Sequence, residues 1–270
     1  MKTRVISGIG IAVVLIITLL LGGYVLLGTL LAVSMIGYFE LVRALDVIKD
    51  NKANALSVIG MIGICFHYTL LLFFESNKTY LISIMFVFLA LMICFVLKYP
   101  KYHANQVISA FFAFVYVPVM LSFIYLLRVM DNGEYFVWMP FVAWICDTFA
   151  YLCGRAFGKH KMAPVLSPNK TIEGAIGGII FSCIAGAIFA LVVANDNAVP
   201  PKIFEYVIIT FVAAIVSQIG DLAASAIKRD KKIKDYGDLI PGHGGIMDRF
   251  DSVIFVTPFI YLLVVFILIW

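Results

Sequence analysis

Charged residues and glycines are concentrated between Ser225 and Asp251, in a chain that is otherwise 63% hydrophobic. Within this segment Asp248 and Asp251 stand three residues apart, directly after a glycine-rich turn. In a helix that begins just before them, both carboxylates point the same way, and carboxylate oxygens are the ligands that Mg²⁺ prefers. Gly244 and Gly245 let the backbone approach a ligand closely and offer N–H groups to anions. The segment therefore predicts a site where an oxygen-liganded cation meets phosphate groups.

Two more acidic residues, Asp147 and Asp221, lie inside long apolar runs. Asp221 precedes Lys228 by about 10 Å of helix at ~1.5 Å per residue, and Ser225 falls on the same helical face. A carboxylate at that depth in a membrane helix is costly and is by default a candidate for function. We interpret both aspartates as site residues, with a structural ion pair to a neighbouring helix as the alternative for Asp221.

A polar segment, residues 155–174, follows the first of these acids and leads into the next apolar run. Thr171 or Asn169 is expected to cap the helix that follows, with Glu173 in its first turn. For Thr171 and Glu173, capping alone is the alternative to a role in substrate binding. Lys170, beside the same helix start, is predicted to bind phosphate.

Membrane helices must position these groups, because the chain has a mean hydropathy of +1.04 and runs long enough to cross a bilayer. Backbone polar groups in hydrocarbon must bond within their own helix. The sequence therefore predicts an all-α, polytopic integral membrane protein with a single transmembrane domain, 1–270. We expect N-terminal helices of unclear role in 1–135 and catalytic helices with cytosolic loops in 136–270. The nine predicted spans are about 5–21, 24–45, 56–74, 80–97, 107–127, 136–157, 174–194, 204–227 and 252–270.

Lys and Arg residues are distributed unevenly between the predicted loops. Alternate loops, counted from the N-terminus, hold 17 of the 20, and the opposite side holds only Lys78, Arg128 and Lys202. Because basic loops stay in the cytosol, the N-terminus is predicted to be cytosolic and the C-terminus outside. The acidic and phosphate-binding candidates then lie at the cytosolic ends of spans six to nine.

The segment Ser225–Asp251 resembles the signature of the phosphatidate cytidylyltransferases, also called CDP-diacylglycerol synthases. Each fixed position of that signature is matched here, by Ser225, Ile227, Lys228, Arg229, Lys234, Asp235, Gly237, Ile240, Pro241, His243, Gly244, Gly245, Ile246, Asp248, Arg249, Phe250 and Asp251. Upstream, Asp147-Thr148 and residues 167–174 also resemble the family pattern, although Phe149 stands where the family often has a small residue. The resemblance is close over the C-terminal half and covers the rest only as hydrophobic helices.

The resemblance implies that CTP and phosphatidic acid give CDP-diacylglycerol and pyrophosphate, an early step of phospholipid biosynthesis. It implies a Mg²⁺ requirement, with one or two divalent cations, and leaves open a monovalent ion at one place. Asp221, Asp248 and Asp251 are the expected metal ligands, joined by Asp147, and the first three act with Lys170 as catalytic residues. The expected substrate-binding residues are Lys228, Arg229, Lys234, Arg249, His243, Gly244, Gly245, Ser225, Asn169, Thr171 and Glu173.

Expected partners are CTP, phosphatidic acid and membrane lipids, with no nucleic acid, and a homodimer is left open. We expect a multi-pass protein of the cell inner (plasma) membrane whose active site faces the cytosol, where CTP is found. A phosphate monoester has its second pKa near ~6, so the lipid nucleophile is largely dianionic and needs no general base. His243, flanked by glycines, is therefore expected to donate or accept hydrogen bonds rather than transfer protons.

Three alternatives differ in chemistry. A CTP-dependent polyprenol or phytol kinase would transfer the γ-phosphate and release CDP. A CDP-alcohol phosphotransferase is disfavoured because its acids are spaced D-x3-D, whereas two residues separate Asp248 from Asp251. An ion-coupled transporter is disfavoured because transporters tend to carry paired repeats, and this sequence shows none.

Overall fold

The computed structural model describes residues 2–48, 52–74, 78–197, 200–240, 242 and 244–269. The chain divides into two compact units. The first comprises Met1–Val129 and Lys231–Phe250, and the second comprises Met130–Asp230 and Asp251–Trp270. The loop 231–250 groups with the N-terminal helices. The single-domain organisation stays a prediction.

Six α-helices and a π-helical turn form most of the first unit. They are α1 (Lys2–Leu21), α2 (Gly23–Ala44), α3 (Ala55–Phe73), α4 (Lys78–Leu97), α5 (Ala104–Phe114), the turn Val115–Val119 and α6 (Met120–Val129). The turn contains Pro118, which cannot donate the backbone hydrogen bond that a regular helix requires. α2 buries Tyr38 and Leu41 completely, and so forms part of this unit's core.

Polar side chains inside this unit find partners with each other. His67 is fully buried and bonds through Nδ1 to Ser83 Oγ at 2.8 Å and through Nε2 to Ser122 Oγ at 2.9 Å. Tyr80 shares the Ser122 hydroxyl at 2.9 Å. A buried polar group without such a bond is costly, so this network stabilises the packing of the unit's interior.

The second unit contains a short helix, four long helices and a β-hairpin. These are α7 (Gly133–Phe136), α8 (Val142–Phe157), β1 (Lys161–Ala163), β2 (Ser167–Thr171), α9 (Ile172–Asn197), α10 (Ile203–Asp230) and α11 (Met247–Val264), with the π-helical turn Val265–Ile269 after α11. The first four residues of α11, 247–250, belong to the first unit. Gly174 and Gly178 of α9 lie directly against the Ala150 and Cys146 carbonyls of α8. A side chain at either glycine would meet backbone, so these two helices approach closely where glycine permits it.

The antiparallel hairpin of β1 and β2 was not predicted, since the sequence indicated only a polar loop there. Lys161 is paired with Thr171 and Ala163 with Ser167. The Ile172 N–H also donates to the His160 carbonyl at 2.9 Å. The hairpin therefore fixes the position of the junction between β2 and α9.

Eight helical segments in the described part of the chain are long and apolar enough to cross a membrane. They are Gly23–Ala44, Ala55–Phe73, Lys78–Leu97, Ala104–Val129, Gly133–Phe157, Ile172–Asp196, Ile203–Asp230 and Met247–Leu268. Apolar side chains of α4, such as Leu81 at 65% and Ile93 at 58%, are exposed, as expected for a surface covered by acyl chains rather than water. The prediction of an all-α, multi-pass membrane protein is confirmed. Residues Ala12–Leu21 are an apolar part of α1, and the count of nine spans stays a prediction.

Candidate active site

The first part of the site lies in the second unit, where β2 brings Lys170 to α10. The Lys170 Nζ forms an ion pair with Asp221 Oδ2, and the two side chains are only 25% and 24% exposed. Lys170 is the residue before Thr171, whose position is fixed by the hairpin and by capping of α9. The structure thus joins two predicted site residues that are about 50 positions apart in sequence.

Asp147 and Asp251 lie close to this ion pair in the same unit. Asp147 Oδ2 accepts a hydrogen bond from Ser252 Oγ at 3.1 Å. Asp251 is 7% exposed, and its Oδ1 accepts from the Ser252 N–H at 2.8 Å. Ser252, which sequence analysis did not select, therefore contacts both acids.

Asp147, Asp221 and Asp251 form what we call the carboxylate cluster. Asp251 interacts electrostatically with both other acids and with Lys228, and Asp147 interacts with Asp221 and Lys170. Three carboxylates from α8, α10 and α11 thus face two lysines, which leaves an excess of negative charge. Like charges in a poorly solvated place repel each other, so additional positive charge would stabilise the carboxylate cluster.

The donor chemistry of the carboxylate cluster fits a hard cation, because its ligands are oxygens. Within the described residues, no group of three or more His, Cys, Asp or Glu side chains has the arrangement that would hold a metal ion. Asp221 is instead bonded to Lys170. The assignment of metal ligands therefore stays a prediction that the donor types support.

Thr171 and Glu173 both have structural roles at the start of α9. Thr171 Oγ1 accepts the Gly174 N–H at 3.2 Å, which confirms the predicted cap. Glu173 accepts the N–H groups of Lys159 and His160 at 3.1 and 3.2 Å, and also bonds to His160 Nδ1 at 2.6 Å. Glu173 therefore stabilises the turn that leads into the hairpin.

The remaining predicted residues of this unit lie on α10 or on the hairpin. Ser225 and Lys228 are half-buried on α10, and Arg229 is exposed near its C-terminus. The Arg229 Nε donates to the Leu166 carbonyl at 3.3 Å, which ties α10 to the hairpin. Asn169 is exposed on β2, where it is accessible to a ligand.

The second part of the site lies in the first unit and is centred on Asp248. Its Oδ2 accepts the N–H groups of Tyr236 at 2.7 Å and Gly245 at 3.0 Å. Gly244 has a φ of +82° and a Cβ there would lie 2.9 Å from this oxygen, so glycine is required for both conformation and space. The helix that carries Asp248 begins at Met247, which confirms the expected start and places Asp251 three residues further on.

A polar cleft of about 460 Å³ lies beside Asp248 in the first unit. Its lining includes Lys234, Asp235, Gly237, Asp238, Ile240, Gly242, Gly244 and Arg249. Predicted substrate-binding residues Lys234, Gly244 and Arg249 are thus brought together. The two basic side chains of this lining can bind an anion, and the two acidic side chains can bind a cation that accompanies it. His243 lies outside the described residues.

Glu40 on α2 was missed by sequence analysis, although it contacts this part of the site. It is 4% exposed and accepts the N–H groups of Ile246 and Met247. The sequence contains a signal for Glu40, because it is an acidic residue within a predicted membrane span. Asp147 and Asp221 are candidates on the same ground.

Comparison with known families identifies the chain's relatives. The model of the cytidylyltransferase family matches residues 2–267. The chain belongs to the cytidylyltransferase family. The chain is 33% identical to the phosphatidate cytidylyltransferase of Bacillus subtilis strain 168. The alignment extends over 271 residues and covers 97% of each protein. The chain is also 32% identical over 269 residues to that of Staphylococcus saprophyticus and 33% identical over 269 residues to that of Staphylococcus haemolyticus, covering 98% of this chain and 99% of each relative.

Proposed function

We propose that the protein transfers the cytidylyl group of CTP to phosphatidic acid and releases pyrophosphate. The observation that carries this proposal is the similarity to phosphatidate cytidylyltransferases along nearly the whole chain. The structure agrees, because the signature residues line a polar cleft or lie near a carboxylate–lysine cluster. The product is CDP-diacylglycerol, a precursor in phospholipid biosynthesis.

The reaction needs no general base. A phosphate oxygen of phosphatidate attacks the α-phosphorus of CTP, the new P–O bond forms, and the bond to the β-phosphate oxygen breaks. The lipid phosphate has its second pKa near ~6, so at neutral pH the attacking oxygen carries no proton that must be removed. The obstacle is repulsion between two strongly anionic substrates, and positive charge together with positioning overcomes it.

The chain's own basic residues supply much of that positive charge. In the first unit, Lys234 and Arg249 line the polar cleft and bind phosphate groups of CTP in this proposal, where Arg can bind two oxygens at once. In the second unit, Lys170 and Lys228 bind phosphate oxygens beside the carboxylate cluster. Arg229 contributes charge at the end of α10.

Mg²⁺ would be held by carboxylates drawn from Asp221, Asp248, Asp251 and Asp147. When bound, it supplies charge neutralisation for the phosphate groups and the leaving pyrophosphate. Oxygen-only donors support this choice of metal over softer ions. Asp221 has the further task of orienting Lys170, with which it is paired. Mg²⁺ titration with and without K⁺ tests whether a monovalent ion occupies one of the metal positions.

The topology we propose has nine spans, a cytosolic N-terminus and an external C-terminus, in the plasma membrane. The distribution of Lys and Arg supports it, because 17 of the 20 fall in loops of one side. CTP is cytosolic and phosphatidate is anchored in the bilayer, so a site at the cytosolic boundary serves both. Reporter fusions after residue 200 and at the C-terminus test it, and both should report an external location.

The decisive experiment uses purified protein, phosphatidate, Mg²⁺ and CTP labelled at the α-phosphate. Label is expected in a lipid product, with one pyrophosphate released per lipid formed. Label remaining in CDP, with the γ-phosphate transferred to lipid, would establish a polyprenol-type kinase instead. An absence of any CTP consumption with phosphatidate would overturn the proposal. Mg²⁺ titration after chelation, with and without K⁺, tests the metal requirement.

A further inference from the structure

We propose that Glu40 is a positioning residue that holds Asp248 in place for the metal-dependent reaction. The proposal rests on the proposed function for the identity of that reaction. Glu40 lies on α2, far from the signature in sequence, and within the first unit it contacts Gly237 and residues 245–247. It is not expected to touch substrate, so its effect on the reaction is exerted through Asp248.

Glu40 caps the helix that carries Asp248. Its Oε1 accepts the Ile246 N–H at 3.1 Å and its Oε2 accepts the Met247 N–H at 2.8 Å. The first N–H groups of a helix have no acceptor within that helix, and negative charge is favourable beside them. Helices are more often capped by a residue of their own chain neighbourhood, whereas here the cap comes from 206 positions away.

Two glycines make room for the Glu40 carboxylate. A Cβ at Gly237 or at Gly245 would clash with Glu40 Oε1. Both belong to the signature, so the segment is shaped to receive this side chain. The same two glycines lie against one another, because a Cβ on Gly237 would be 3.1 Å from the Gly245 Cα.

A second residue of α2 holds the other end of the segment. Arg43, one turn after Glu40, donates from Nη2 to the Tyr236 carbonyl at 2.6 Å. The Tyr236 N–H in turn donates to Asp248. Glu40 and Arg43 therefore fix peptide groups that are adjacent to those that orient the Asp248 carboxylate.

Residues that orient a metal-binding carboxylate typically change metal affinity or activity by about 10–100-fold when they are altered. Glu40→Gln retains the size of the side chain, but its amide can accept only one of the two N–H groups and presents a donor to the other. We therefore expect the Mg²⁺ concentration for half-maximal activity to rise by about 10–100-fold, with turnover partly restored at high Mg²⁺.

The test combines Mg²⁺ titration with hydrogen exchange on the full-length, purified protein. Without Mg²⁺ or substrate, Glu40→Gln should accelerate amide exchange in residues 236–248. Gly237→Ala displaces the same carboxylate from the loop side and should change both measurements in the same direction. Ser34→Ala is the matched control, because Ser34 is a buried residue of α2 bonded to Tyr68 at 2.7 Å. It should lower thermal stability and leave both measurements as in the wild type.

The proposal is overturned if Glu40→Gln lowers turnover by the same factor at every Mg²⁺ concentration. It is also overturned if exchange in residues 236–248 is unchanged, or if Ser34→Ala produces the same Mg²⁺ shift. The exchange measurement requires no turnover. A wild-type protein that forms no CDP-diacylglycerol would therefore refute the proposed function, while the exchange result would still decide whether Glu40 positions the segment.

Discussion

Replacing Lys170 by Met separates its contribution to stability from its contribution to catalysis. In the folded protein, Lys170 on β2 pairs with Asp221 on α10, and both side chains are about three-quarters buried. Met retains most of the length of the side chain but removes the charge. Asp221 is then left with two other acids, Asp147 and Asp251, that interact with it electrostatically. We expect both lower stability and loss of turnover.

The size of the stability change follows from the burial of the pair. Two unit charges about 4 Å apart attract each other by about 4 kcal/mol at an effective dielectric constant near 20. Desolvation of the pair and its partial exposure offset part of this attraction. We therefore expect a coupling energy of about 2 kcal/mol between Lys170 and Asp221. For a chain of this size that corresponds to roughly 4–8 °C in apparent Tm.

A double-mutant cycle measures this coupling. Lys170→Met/Asp221→Asn removes the unpaired charge together with its partner, so it should recover stability relative to Lys170→Met. Turnover should not recover, because the double variant lacks both charges that we propose to bind phosphate and cation. The assays are thermal unfolding followed by tryptophan fluorescence and transfer of label from α-labelled CTP to lipid. Lys161→Met, at an exposed position of β1, is the matched control and should change neither property.

Two results would contradict this reasoning. A double variant whose loss of stability equals the sum of the losses in Lys170→Met and Asp221→Asn would mean that the pair has no net coupling in the folded protein. A Lys170→Met enzyme with half or more of the wild-type turnover would mean that Lys170 is not catalytic, whatever its effect on stability.

Four further predictions test other parts of the site and fold. Asp248→Asn should lower turnover by about 10²–10³-fold or more, while the protein still inserts and folds. Lys52→Ala should remain near the wild type, because this residue is only one of several basic loop residues. Chelation with EDTA should abolish label transfer and added Mg²⁺ should restore it; full activity in EDTA would exclude a divalent metal. Gly177→Val should destabilise the protein by about 1–3 kcal/mol, because a Cβ there meets the Cys153 side chain, and unchanged thermal unfolding would contradict that packing.

The membrane helices and the helix starts could be predicted from the sequence because they depend on local physical rules. A helix in hydrocarbon must be about 20 residues long and apolar, and eight of the predicted spans agree within a few residues with the observed segments. The Thr171 cap depends only on neighbouring residues. The start of α11 is marked by the glycine-rich turn before it, although its capping residue, Glu40, is distant in sequence.

The hairpin could not be predicted on the same basis. Its strands, Lys161–Ala163 and Ser167–Thr171, are short and polar, without the alternation that identifies a half-buried strand. Two such strands alone would be marginally stable in water. Here they are held by the ends of α8 and α9, through Glu173 and the Ile172 N–H. The position of Lys170 therefore depends on packing that no local pattern records.

Glu40 and Asp221 show why an acid in a membrane span does not by itself identify a catalytic residue. Both are acids in predicted spans, and both need partners because an unpaired charge there is costly. Glu40 is bonded through both oxygens to backbone N–H groups, which are fixed in place and cannot be exchanged for a ligand. Asp221 is bonded to the Lys170 ammonium, which sits on a long side chain and can bind phosphate instead. The partner, which only the fold reveals, therefore supports the positioning role that we propose for Glu40 and the chemical role that we propose for Asp221.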